Sequence, residues 1–511
     1  MNFFCIIATL VFSIIISILF YILNLTIRIF AGKSINSPEY APVHATIFFL
    51  FFHGHDIYDH ETEIARKTPT FRLLAPGQSE IFTVDPRNVE HILKTRFDNY
   101  SKGQYARDIL SDLLGHGIFA VDGDKWRQQR KLSSFEFSTR VLRDFSCSVF
   151  RGNAAKLAGV FMEYALSGQP FDAQDLLMRC TMESIFEVGF GVSLRCLEGM
   201  SIEGKEFMKA FDEANTTTSF RFVDPLWKLK RCLNIGSEAK LKRDIATIDN
   251  FVCNLIRTKR RQLSSRQESD GKEDILSRFL AESDKDPETM NDKYMRDIIL
   301  NFMIAGKDTS AAALSWFLYI ICKNPLIQEK IAQEVREVTG SEGETMKTED
   351  FIQRITEESL DKMHYLHAAL SETLRLYPPV PVDMRCAESD DILPDGYRVN
   401  KGDNVYYIAY AMGRMTTIWG EDAEVFRPER WLKNGILRIE SPFKFISFHA
   451  GPRICLGKDF AYRQMKIISM VLLRFFRFKL VDEKRNVTYT RMLTLHVDGG
   501  LHLYASPRAK T

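Results

Sequence analysis

The chain opens on an apolar run: residues 1–27 carry no charged side chain, and Phe3–Leu23 is almost unbroken hydrophobic sequence. About 20 such residues cross a bilayer as one helix. A cleaved signal peptide would show a basic start, a shorter apolar core and a small-residue cleavage site. Nothing basic precedes this run, whereas Arg28 and Lys33 follow it. The excess of positive charge on that side places the body of the chain in the cytosol. Residues 1–27 therefore read as an uncleaved, single-pass signal anchor. A second apolar run, Ala45–Phe52, is too short to span; it lies in the membrane interface or packs on the core. With only Pro38 and Pro42 between them, residues 28–69 read as hinge and membrane-proximal segment, and residues 70–511 as one domain.

Thr70–Val84 alternates like a strand pair broken at Pro76-Gly77, and Asp85-Pro86 then opens a helix with Asp as cap and Pro in its first turn. Ser101–Asp124 is glycine-rich and reads as a loop. Most of the chain beyond that helix start has the 3.6-residue period of helices. Gln262–Glu273 is polar and reads as an exposed loop. Asp292–Cys322 is nearly apolar all round from Ile298, but Lys307, Asp308, Thr309 and Ser310 in mid-run make a membrane span costly. A buried central helix with a polar interruption is expected instead. Short β elements return near the C-terminal third, where Met492–Val497 and Leu501–Tyr504 flank Asp498-Gly499-Gly500, the expected turn of a hairpin. The pattern is mainly α with a small β region.

Composition narrows the function. In 511 residues the net charge is +2, which argues against an electrostatic nucleic-acid binder. The nine cysteines are scattered, none closer in sequence than Cys180 and Cys196, so no C-x-x-C signature exists and reduced thiols are expected.

One of those cysteines carries the chemistry. Within Phe443–Phe460 stands Phe448-x-x-Gly451-x-Arg453-x-Cys455-x-Gly457. Flanking glycines let backbone amides approach the sulfur closely, Arg453 adds positive potential, and a helix following Gly457 would aim its positive end at the thiolate. A lone cysteine is more often a small buried hydrophobe. Average residue usage, however, makes a chance match to this pattern roughly a one-in-ten-thousand event. The segment resembles the haem-binding loop of the cytochrome P-450 monooxygenases.

Further segments resemble that family in its own order. Trp126 and Arg130, one helical turn apart, offer two fixed donors to a carboxylate such as a haem propionate. Ala305-Gly306-Lys307-Asp308-Thr309-Ser310 is similar to the oxygen-activating segment. Gly306 would open the backbone beside the haem, and Asp308 and Thr309 would deliver protons. Glu372-x-x-Arg375 followed by Leu376-Tyr377-Pro378-Pro379, together with Phe426-Arg427-Pro428-Glu429-Arg430-Trp431, resembles the family's buried Glu/Arg/Arg brace. Trp431 replaces the commoner Phe as an aromatic packing residue, and Arg385 matches a further propionate ligand.

The resemblance implies the cytochrome P-450 fold with an N-terminal transmembrane anchor. It implies haem b with Cys455 as its metal ligand and Trp126, Arg130, Arg385 and Arg453 as cofactor-binding residues, with Asp308 and Thr309 as the catalytic pair. Electrons would come from NADPH through NADPH-cytochrome P-450 reductase, since no nucleotide-binding glycine fingerprint is present. It also implies an endoplasmic reticulum membrane location. Gly117–Ser138, the Asp308/Thr309 segment and Phe445–Tyr462 resemble the plant branch that hydroxylates long-chain fatty acids at or near the ω carbon. Phe302, Met303, Val380 and Leu493–Leu495 are then the expected apolar pocket lining. The alternatives are the same chemistry on a terpenoid or alkane, or a non-oxygenating haem-thiolate isomerase.

Overall fold

The Pro76-Gly77 turn closes a hairpin in which Thr70–Leu74 pairs antiparallel with Ser79–Thr83, as the alternation predicts. Both strands are buried throughout, because they lie in the middle of a six-stranded sheet. Val43–Thr46 adds parallel to the first, Asn404–Tyr407 adds parallel to the second, and Asp383–Ala387 and Tyr100–Ser101 continue the sheet antiparallel. Asp85 caps the next helix as expected: its Oδ1 accepts from the Arg87 N–H at 2.8 Å, with Pro86 in the first turn. This computed structural model describes residues 3–31, 34–138, 140–265, 274–341, 346–484 and 487–508.

The rest is mainly helical. Arg140–Ser167, Ala173–Phe190, Asp308–Lys323 and Lys458–Phe475 pack on one another to form the core. Ile299, Leu300, Ala311, Phe317 and Ile321 of the central run are fully enclosed. Burying one large aliphatic or aromatic side chain contributes about 1.5–3 kcal/mol, so this stretch tolerates a polar interruption. The interruption breaks the run in two, Asp292–Gly306 and Asp308–Lys323, at Lys307.

Several expectations need correction or refinement. Ser101–Asp124 is not a loop: Gly103–Leu114 is a helix whose Ala106, Ile109 and Leu113 bury one stripe, an i, i+3, i+7 pattern that the flanking glycines obscured. Asp498-Gly499-Gly500 does not close the expected hairpin. Leu495–Val497 pairs with Tyr489–Arg491, while His502–Pro507 crosses to another sheet and pairs with Phe476–Leu480. The outer strand Phe476–Leu480 alternates buried and exposed, and this gives His502–Pro507 a matching partner. The anchor helix runs Phe3–Phe30, beyond residue 27, and the Gly77 N–H donates to the Arg28 carbonyl at 3.0 Å. Within it, Val11–Phe30 is long and apolar enough to cross a membrane and is almost wholly exposed. Ala45–Phe52 is divided between strand Val43–Thr46 and helix Phe48–Phe52; Ala45, Ile47 and Phe49 pack on the core. Of Gln262–Glu273, residues 262–265 end the helix Gly236–Ser265, and 266–273 lie outside the described residues.

Candidate functional site

Cys455 sits at the end of a loop whose shape is set by close backbone contact. Gly451 has a left-handed φ of 65°, and a Cβ there would lie 2.0 Å from the Leu93 carbonyl oxygen, so only glycine fits. The Cys455 N–H donates to the Phe448 carbonyl at 2.8 Å. Helix Lys458–Phe475 starts three residues later, as expected, with its N-terminus beside the sulfur. The thiol is accessible, yet burial pushes its pKa up, opposed by the Gly457 N–H and the charges of Arg130 and Lys458. Accessibility and dense protein surroundings coexist where a side chain faces an internal hollow. The eight described cysteines are all unpaired.

A cluster of cations lies against this loop. Arg453 stacks on the Trp126 ring, 4.4 Å from its centroid, and donates from Nη2 to the Val121 carbonyl and Asp122. Arg130 donates to the Ile454 carbonyl at 2.8 Å. Arg385, buried, donates to Asp383 at 3.1 Å and to His449 Nε2 at 2.7 Å. Burial, with Arg385 next in weight, pushes Lys102 down to about 8 and Arg453 down to about 10. Burial pushes His449 down to about 4, and its Nε2 accepts from Arg385; the Tyr407 hydroxyl, 2.9 Å from the same nitrogen, donates to Asp383 at 2.7 Å. The Nε–H groups of Arg385 and Arg453 are buried without an acceptor. Crowded cations with unspent donors form a cradle for an anion. Sequence reading found Trp126, Arg130, Arg385 and Arg453 but missed Lys102, Asp383, Tyr407 and His449. Only His449, inside the Cys loop itself, carried a local signal.

The loop is braced from behind. Glu372 has no exposure and accepts from Arg375 Nε and Nη2, Arg430 Nε and Trp431 Nε1 (2.8 Å each), and from the Arg427 N–H at 3.0 Å. Arg375 and Arg430 spend their remaining donors on carbonyls of Ala423, Asp422 and Trp419. Ser447 ties helix His364–Leu376, which carries Glu372 and Arg375, to the Cys loop by donating to the Leu374 carbonyl at 2.7 Å. Trp431 is thus a hydrogen-bond donor as well as the packing residue the sequence suggested.

The central helix presents two different faces. Phe302, Ala305, Gly306 and Thr309 are all half-buried at i, i+3, i+4, i+7, an open strip on a stretch, residues 295–318, that is otherwise buried. Thr309 Oγ1 donates to the Ala305 carbonyl at 2.6 Å. A Cβ on Gly306 would meet Ile185 Cδ1 at 2.7 Å, so this glycine serves a close helix–helix approach as well as the break after it. Asp308 points elsewhere. It has no exposure, accepts from Asn215 Nδ2 and Lys307 Nζ at 2.9 Å each, and is not bonded to Thr309. Lys307 also pairs with Asp212, whose side chain is 41 % exposed. Of the other expected lining, Val380 is exposed and Leu493 half-buried, whereas Met303, Thr494 and Leu495 are packed in the core.

Residues 38–503 match the family model "Cytochrome P450". The chain is similar to "Cytochrome P450 704C1" of Pinus taeda, 49 % identical over 480 residues covering 92 % of each chain. It is 43 % identical to "Cytochrome P450 704B1" of Arabidopsis thaliana over 89 % of this chain and 91 % of that one. Identity to "Cytochrome P450 86B1" of the same plant is also 43 %, over 84 % and 78 %.

Proposed function

Because the chain belongs to the cytochrome P450 family, we propose that it hydroxylates a long-chain fatty acid at or near the ω carbon. Monooxygenase activity, a haem-thiolate iron and electrons from a redox partner come with membership of the family. The observation that carries the finer reading is the open apolar strip. Phe302 and Ala305 on the strip and Leu493 are half-buried, Val380 is exposed, and Thr309 is the polar side chain on the strip. A methyl-ended chain fits such a lining, since each buried methylene contributes about 0.8 kcal/mol without any charged partner. The likeness of Gly117–Ser138 to plant ω-hydroxylases supports the same choice. On this reading the acyl carboxylate stays near the mouth or the membrane surface.

The residues fit haem b. Cys455 supplies the thiolate, and the unspent Nε–H groups of Arg385 and Arg453, with Trp126 and Arg130, suit propionates. Bound haem supplies oxygen activation and hydroxyl transfer. The protein's share is position and protons. Thr309 holds a hydroxyl proton on the open strip. Asp308 lies on the adjacent face of the run, where Lys307 links it to the part-exposed Asp212. The anchor fits a cytosol-facing body on the endoplasmic reticulum membrane, with NADPH-cytochrome P450 reductase as donor. Purified full-length protein, reductase and NADPH, given palmitate- to oleate-sized acids, should form ω or near-ω alcohols. No turnover of these acids, with hydroxylation of a cyclic terpenoid or an alkane instead, would overturn the substrate while sparing the family.

A further inference from the structure

The geometry points to a divalent transition-metal site of the zinc type just after the anchor, built from His53, Asp56 and His60. His53 and Asp56 lie in the turn joining helix Phe48–Phe52 to helix Ile57–Lys67, and His60 lies in the first turn of the second helix. One ligand atom from each lies within 4.8 Å of the others. His60 Nε2 is 3.1 Å from Asp56 Oδ2, and His53 Nδ1 is 3.8 Å from Asp56 Oδ1. Tetrahedral ligands at zinc–ligand distances of about 2.0–2.2 Å stand roughly 3.4 Å apart, so little movement closes a shell around an ion.

Asp56 is turned away from its ordinary task. It precedes Ile57 at the N-cap, where an aspartate usually accepts a backbone N–H, yet its side chain makes no capping bond. Its carboxylate turns to the two imidazoles instead, and Oδ1 is buried with no hydrogen-bond partner. Backbone bonds hold the ligands in place: the His53 N–H donates to the Phe49 carbonyl at 3.0 Å and the His60 N–H to the Asp56 carbonyl at 3.2 Å. The two imidazole centroids are 3.9 Å apart, with Phe49 packed on His53. Exposed His55, Nε2 3.6 Å from Asp56 Oδ2, stands ready for a fourth position. Two imidazoles and a carboxylate are a donor set that zinc accepts. A bound ion would clamp helix Phe48–Phe52 to helix Ile57–Lys67.

The test uses tag-free, full-length haem protein, stripped with chelator and titrated with Zn2+. We expect one zinc per chain, with an X-ray absorption edge showing imidazole ligands at about 2.0–2.1 Å. His60→Gln and Asp56→Asn should each weaken binding at least roughly tenfold, the loss that even a supporting residue causes. An unchanged reduced carbon monoxide spectrum would show that these variants are folded. Absence of stoichiometric zinc in the wild type, an edge lacking imidazole, or equal binding by folded variants would overturn the site.

Discussion

Glu372 and Asp308 are both carboxylates with no exposure, each paired with a cation one or three residues away, and they are built for opposite ends. Glu372 is saturated: two arginines, an indole and a backbone N–H fill its oxygens, and carbonyls absorb what the arginines have left. Asp308 accepts from Asn215 and Lys307, and Lys307 divides itself between Asp308 and the half-exposed Asp212. A fully satisfied network in low dielectric is rigid, whereas one shared with the surface exchanges partners. The first holds the Cys loop still; the second gives the interior a charged route to water.

Breaking the saturated network should have the largest effect. Glu372→Ala leaves Arg375 buried without a counter-charge and Arg430 with only the part-exposed Asp422, at a cost of about 3–5 kcal/mol. The protein should unfold far earlier and recover little haem; a melting temperature near wild type would mean the brace is dispensable. Trp431→Phe keeps the ring and removes one donor to a charged acceptor, so thermal unfolding should register about 1.5–3 kcal/mol. An unchanged melting temperature would return Trp431 to packing alone.

Acid should distinguish the two regions. His496, beside Asp308, is pushed down by burial from 6.5 to about 4. Between those values the unfolded chain binds the proton and the folded one does not, so stability falls as pH drops through that window. His496→Gln should remove part of that loss, visible as a shallower fall of melting temperature with pH. An identical profile would show that the imidazole titrates freely. The smallest stability effect belongs to Asp212→Asn, because buried Lys307 keeps Asp308 as its counter-charge when the part-exposed partner is lost. Product formed per NADPH should nevertheless drop, because Lys307 then clamps onto Asp308. Unchanged product yield would make that cluster purely structural.

The same contrast explains what could be read from the chain. Cys455 announces itself through local spacing, because flanking glycines shape its surroundings, whereas Glu372, Arg375 and Arg430 were legible through the family resemblance, since the same E-x-x-R spacing recurs at Glu63/Arg66 and Glu424/Arg427. The apolar anchor and the Thr70–Val84 hairpin were legible from local pattern as well. Lys102, Asp383 and Tyr407 come from distant segments and meet only once the sheet brings Asp383–Ala387 beside Asn404–Tyr407. Asp308 was expected beside Thr309, but consecutive residues on a helix point about 100° apart, and the carboxylate follows Lys307 toward Asn215. The misplaced hairpin after Val497 has a related cause: a Gly-Gly turn permits reversal, while the choice of partner strand is made by the whole sheet.

The central claim is that the braced loop presents Cys455 as the haem ligand, and Cys455→Ser tests it most directly. An alcohol oxygen is a far poorer partner for haem iron than a thiolate. With carbon monoxide bound to the reduced protein, the thiolate-type absorption should vanish in this variant, while the brace, through Ser447 and Leu374, keeps the loop folded. Persistence of that absorption would mean that another cysteine holds the iron, and the account of this site would be wrong.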